Sequence, residues 1–77
     1  MISSKQIRAA KAMLKWSGED LANKAGVSLS TIRRIESHDG VPEGQNMSTV
    51  MAIKNALEKA GIEFIGTPDD RPGVRLK

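Results

Sequence analysis

One short pattern occurs three times in the first 32 residues of the chain: an apolar side chain, then serine, then a second apolar side chain five positions after the first. The three triples are Ile2-Ser3-Ile7, Trp16-Ser17-Leu21 and Val27-Ser28-Ile32. Each predicts a helix start. The serine hydroxyl can accept from an orphan amide of the first turn, while the flanking apolar pair closes over the entrance as a hydrophobic staple. Gln6 and Asp20 fall at the third helical position, where Gln completes a capping box and Asp also suits the positive end of the helix dipole.

Apolar periodicity sets the lengths. A first helix is expected over residues 4–15, with Ile7, Ala10 and Leu14 as its buried stripe. A second covers residues 18–25, buries Leu21, Ala22 and Ala25, and stops at Gly26, the residue best suited to a left-handed terminus. Only Gly26, Val27 and Ser28 separate it from a third helix over 29–37. There Ile32 and Ile35 lie on one side, and Ser30, Arg33, Arg34 and Ser37 share the other. The segment 38–45, with Asp39-Gly40, Pro42 and Gly44, reads as an irregular loop. A fourth helix over 47–60 follows, capped by Asn46, with Met47, Val50, Ile53, Leu57 and Ala60 on its apolar face and Gly61 as its stop. Beyond it, residues 62–65 and 73–76 are β-prone and flank a turn-rich TPDDRP segment. They predict a small antiparallel ribbon, with a frayed tail as the alternative.

With 77 residues and 22 large apolar side chains, the chain can form one small core. A helical domain over 1–61 with a C-terminal extension over 62–77 is expected. There is no Cys and a single His, His38, which excludes disulfides, thiolate metal sites and two-imidazole metal sites, and leaves most triad chemistry without a base. No enzyme activity, metal or cofactor is expected, and no small-molecule ligand is evident. No apolar run approaches a membrane span, and the start MISSKQIRAAK lacks the apolar segment of a secretion signal. A cytoplasmic protein with no membrane partner is the expectation. The formal charge of +3 is unevenly spread. Up to Arg34 the chain carries seven Lys or Arg against two acids, and beyond it five against seven. A positive field confined to one half suits a polyanion.

Two helices joined by a three-residue turn containing Gly, the second with a basic outer face, form the arrangement that lays one helix in a DNA major groove. The stretches Ser17-Gly18-Glu19-Asp20-Leu21-Ala22, Ala25-Gly26-Val27-Ser28 and Thr31-Ile32-Arg33-Arg34-Ile35-Glu36 resemble the Xre and phage-repressor (Cro-like) family, over about residues 4–60. That resemblance implies a mainly α fold, a four- to five-element helical bundle of the phage-repressor DNA-binding type, here with a short C-terminal β-ribbon. It further implies a transcriptional regulator that binds double-stranded operator DNA, usually as a two-fold homodimer.

Carried onto this sequence, the base-reading positions are Leu29, Ser30 and Thr31, with Arg33 and Arg34 further along the helix. The chemistry suits them: hydroxyls bond several base edges, Arg grips guanine O6 and N7, and Leu can meet a thymine methyl. Leu29 has an alternative role as a packing residue at the helix entrance. Amides around Gly18 and Glu19 are expected to hold phosphate at the start of the second helix, helped by Lys15 and Lys24. The family often carries Gln where this chain has Gly18, so a side-chain phosphate clamp is missing. Lys11 falls on the buried stripe of the first helix and Glu36 beside Ile32 and Ile35. The family has an Arg–Glu bridge at these positions, which implies a Lys version here.

Trp16 reads as a staple and core plug, and Asp69 and Asp70 as turn residues. Within the ribbon, Ile62, Phe64, Val74 and Leu76 are candidates for a homodimer interface through strand edges. The alternative to DNA binding is a helical protein-interaction module, a bridging factor or antitoxin-like partner.

Overall fold

The computed structural model describes residues 2–37, 47–67 and 70–77. It is mainly α: four helices, α1 (Ser4–Met13), α2 (Gly18–Ala25), α3 (Leu29–Glu36) and α4 (Met47–Lys59), precede a hairpin of β1 (Ile62–Thr67) and β2 (Asp70–Leu76). The loop expected over 38–45, the Asn46 cap, His38 and Asp69 lie outside the described residues.

The apolar residues of the three staples all reach the core. Ile2 and Ile7, Leu21, and Ile32 are buried, while Trp16 and Val27 pack against the cluster as partly buried partners. Ser3 and Ser17 each make a full capping box, with Gln6 and Asp20. Ser28 accepts from the Thr31 amide at 3.2 Å without one, because Thr31 is too short to reach back to the cap amide. Ala10, Ala22, Ile35, Val50, Ile53, Leu57 and Ile62 complete the buried cluster. Small residues where α1 and α2 enter it let short helices approach closely.

The end of α1 and the first turn of α4 depart from the periodicity. α1 stops at Met13, earlier than expected, because Leu14 caps it and Lys15 takes a left-handed φ of 59°. The Trp16 amide then donates to Lys11 O at 2.9 Å and the Lys15 amide to Ala12 O at 3.1 Å, the paired bonds of a Schellman ending. Lys rather than Gly stands at the left-handed position, which costs about 1 kcal/mol and is offset by swinging Trp16 back onto the core. Met47, assigned by periodicity to the apolar face of α4, is 55 % exposed in the helix's first turn, and burial begins at Val50.

The strands also run further than expected, up to a Thr67–Asp70 pair. Gly66 at φ 74° and Arg71 at φ 49° bend the chain into it, and the register shifts between Ile65 and Thr67. A Cβ on Gly66 would stand 2.4 Å from Arg71 O, so only glycine fits. Ile62 pairs with Leu76 and Phe64 with Val74 on the face that meets the helices, while Glu63 pairs with Arg75 on the other.

The Arg75 guanidinium, 2.6 Å from Glu63 Oε1, holds the Glu63 carboxyl below its ordinary pKa through a hydrogen bond and through its charge. Because the folded value is depressed, the pair's contribution to stability is present above the ordinary carboxyl range and fades as pH falls through the folded value. In Arg75→Gln, an NMR titration of Glu63 should move up toward the ordinary value. An unchanged titration would mean that Arg75 does not act on it.

Candidate nucleic-acid interface

The α2–turn–α3 unit is held by local bonds before any long-range packing. Ser17 Oγ accepts from the Asp20 amide at 3.1 Å, and Asp20 Oδ2 accepts from the Ser17 amide at 2.8 Å. At the far end, Gly26 takes φ 72° and the Val27 amide donates to Ala22 O at 3.0 Å, so the chain turns within three residues. Ser28 then restarts the helix. Its hydroxyl lies 2.8 Å from Thr31 Oγ1 and 3.2 Å from Ser30 Oγ, a cluster of three hydroxyls at the entrance of α3. The Ser28 hydroxyl is fully engaged by these contacts and the Thr31 amide, whereas those of Ser30 and Thr31 have capacity to spare.

α3 has two distinct sides. Ile32 and Ile35 are buried, whereas Ser30, Arg33 and Arg34 are exposed. Leu29 and Thr31 are half-buried. A Cβ placed on Gly18 would touch Leu29 Cδ1 at 3.4 Å and Ile32 Cγ2 at 3.7 Å, so Leu29 leans over the start of α2. Its side chain is thus shared between packing and the outer surface.

A surface cleft of about 350 Å³ lies where α1, α2 and α3 converge and brings together Lys11, Gly18, Glu19, Leu29, Arg33 and Glu36. Two of the expected phosphate positions, Gly18 and Glu19, therefore adjoin two of the expected base-reading positions. Lys15 is exposed in the α1–α2 connection. Lys24 stands elsewhere, in the last turn of α2, with its Nζ 5.9 Å from the centroid of the Trp16 ring. The acids Glu19 and Asp20 occupy the first turn of α2, and the Asp20 carboxylate already engages the Ser17 amide.

On the inner side, α1 grips the end of α3. Lys11 Nζ lies 2.7 Å from Glu36 Oε1 and 2.8 Å from Oε2, with both side chains about one-fifth exposed at 19 % and 18 %. Its short amine straddles the carboxylate instead of gripping it in the planar fork that Arg would make. Two residues that the sequence did not single out add to this. Arg8 Nη1 donates to Glu36 O, and Ser4 Oγ donates to Ile35 O at 2.7 Å. Both acceptors are carbonyls of the last helical turn, which lack partners within the helix. No signal in the chain's local pattern marks Ser4, since a hydroxyl in a first turn is common. Among the described residues no helix is long and apolar enough to cross a membrane, and no cluster of three metal-ligating side chains occurs.

Residues 6–51, more than half of the chain, match the family model described as helix-turn-helix. The chain belongs to the Xre/Cro/cI-type helix-turn-helix family. Members of this family are DNA-binding regulators and not typically enzymes. The match runs from the first turn of α1 into α4 and so includes the exposed face of α3 and the Arg8 and Lys11 contacts that support it, while Ser4 lies just ahead of it. Comparison with curated proteins gives no match.

Removing the Glu36 carboxylate leaves the Lys11 ammonium in a mostly buried site. Glu36→Ala should therefore cost about 1–3 kcal/mol of stability. Glu58→Ala, at an exposed position of α4, should stay within about 0.5 kcal/mol. Thermal melts of the two variants check this, and equal shifts would show that the ion pair contributes nothing beyond an exposed charge.

Proposed function

We propose that this protein is a sequence-specific, dimeric regulator of transcription that inserts α3 into the major groove of double-stranded DNA. The observation that carries the reading is the division of α3: two isoleucines anchor it in the core while Ser30, Arg33 and Arg34 project from the opposite side. A helix so anchored can present hydroxyl and guanidinium groups to base edges without giving up its packing. Arg33 is assigned to a guanine edge. Ser30 and Thr31 are assigned to base edges within hydroxyl reach, Leu29 to a thymine methyl, and Arg34 to a base edge or the adjoining phosphate.

The amides of Gly18 and Glu19, at the positive end of α2, take the phosphate beside that groove. Lys15 contributes charge from the preceding connection, and Lys24 does so from the far end of the same helix. Gly18 supplies no side-chain donor, and the Glu19 carboxylate must turn aside from the phosphate. Both features favour modest affinity per monomer and hence binding as a pair.

A two-fold dimer would set two α3 helices in successive major grooves, about 34 Å apart. For its interface we propose the ribbon, with a second copy aligned along β2. Leu76, 48 % exposed at the end of that strand, supports this assignment, as do the outward edges that a two-stranded sheet leaves. Phe64 and Val74, partly buried against the helices, contribute at most their outer rims. Ile62 is only 1 % exposed and belongs to the monomer's own core, so it drops out of the proposed interface.

Duplexes selected from a random pool supply the binding site and its half-site spacing. On that site Arg33→Ala should cost about 1–3 kcal/mol and relax preference at one base pair, with affinity falling steeply as salt rises. Arg34→Ala should lower the salt slope by about 1 if it contacts phosphate. Salt-insensitive binding to a protein, with no duplex selected, would favour an interaction module instead.

The dimer assignment has its own check. Leu76→Lys should shift the sedimenting species to the monomer while leaving the circular dichroism spectrum intact. A variant that still sediments as a dimer would move the interface elsewhere.

A further inference from the structure

Among the described residues the buried polar side chains are Ser3, Ser4 and Gln6, all within the first turn of α1 and its cap. They form one junction between three elements. Gln6 Oε1 accepts from the Ser3 amide at 2.8 Å, completing the cap of α1. Its Nε2 donates to Ile65 O at 3.1 Å and to Gly73 O at 2.9 Å, carbonyls of two residues paired across the hairpin. Two residues earlier, Ser4 Oγ donates to Ile35 O in the last turn of α3. A single helical turn thus holds the C-terminal hairpin on one side and the end of α3 on the other.

We infer that Gln6 is a positioning residue for DNA recognition, through which the hairpin fixes the setting of α3 against α1. Its carboxamide is the one side-chain type that can do this at this site. It needs an acceptor for the cap amide and two donors for the hairpin carbonyls, and all three are used. Burial of Gln6, only 2 % exposed, makes these bonds expensive to lose, because a carboxamide stripped of its partners there has no water to replace them. Ile62 reinforces the link by entering the same core as Ile7 and Ile35. The hairpin is therefore a third support of the DNA-reading unit rather than an appendage, and a ligand that displaced it would loosen α3.

The inference rests on the DNA-binding reading above, so it is tested with and without DNA. Gln6→Glu keeps the acceptor for the Ser3 amide but turns a carboxylate oxygen toward Ile65 O and Gly73 O. In the full-length protein, hydrogen exchange should show amide protection in β1 and β2 and in the last turn of α3 falling together, by about tenfold or more. Protection in α2 and α4 should be retained. Loss of protection in the hairpin with α3 unchanged, or no change in either, would overturn the inference.

On DNA, the ratio of affinity for the selected duplex to affinity for a random duplex should fall by about tenfold while the salt slope stays the same. A purely structural role would lower only the folded fraction and leave that ratio intact. If Gln6→Glu fails to fold, Gly66→Ala takes its place. Its Cβ clashes with Arg71 O and Asp70 O at the far end of the hairpin and leaves every helix unaltered. The same joint loss in α3 is expected, and an unperturbed α3 would refute the coupling. Should the native chain select no duplex at all, the functional reading fails, and the exchange experiment alone decides the coupling.

Discussion

The last turn of α3 is the point on which the rest of the structure depends. A helix that leaves one face exposed and buries only two isoleucines has little packing of its own. Its terminal carbonyls would be unsatisfied if they were shielded from water without partners. α1 answers both needs with three side chains spaced along one face. Ser4 takes Ile35 O, Arg8 takes Glu36 O, and Lys11 takes the Glu36 carboxylate. The outcome is a third helix held at its end by polar contacts and beneath by apolar ones. Its exposed Arg33 and Arg34 are carried on a helix fixed by that double attachment.

Rigidity at the other end of α3 has a different origin. The three-residue turn is set by a left-handed Gly26 and by Ser28, which caps the helix and gathers Ser30 and Thr31 into one hydroxyl cluster. Those bonds are short-range and form with the turn itself. A capping box at Ser17 does the same for α2. The α2–turn–α3 unit is thus preformed, so that little ordering cost would remain to be met by a ligand on this unit.

Much of this was legible in the sequence because it is written in contacts between near neighbours. The staple spacing around Ser3, Ser17 and Ser28, the left-handed Gly26 and the apolar stripes located all four helices and the turn between α2 and α3. What misled was also local: without a glycine after Leu14, periodicity carried the first helix on to Lys15, where the chain instead turns left-handed to seat Trp16. Met47 fits the apolar stripe of α4 by spacing alone, yet it sits in the first turn, ahead of the buried stretch. The sheet reaches Thr67 and Asp70 because Gly66 and Arg71 bend the strands into closure, a geometry that composition does not announce.

By itself, the sequence determined the helix-turn-helix spacing, the basic outer face of α3 and the absence of thiol chemistry, since each follows from residues within a few positions of one another or from simple counting. Only the tertiary structure decided that Ser4 and Arg8 support the end of α3, that Ile62 is core, and that Gln6 serves both a helix cap and the C-terminal hairpin. Those partners lie between 28 and 67 residues apart along the chain. A hydrogen bond over such separations depends on how whole helices and strands are stacked, and no local pattern in the sequence encodes that stacking.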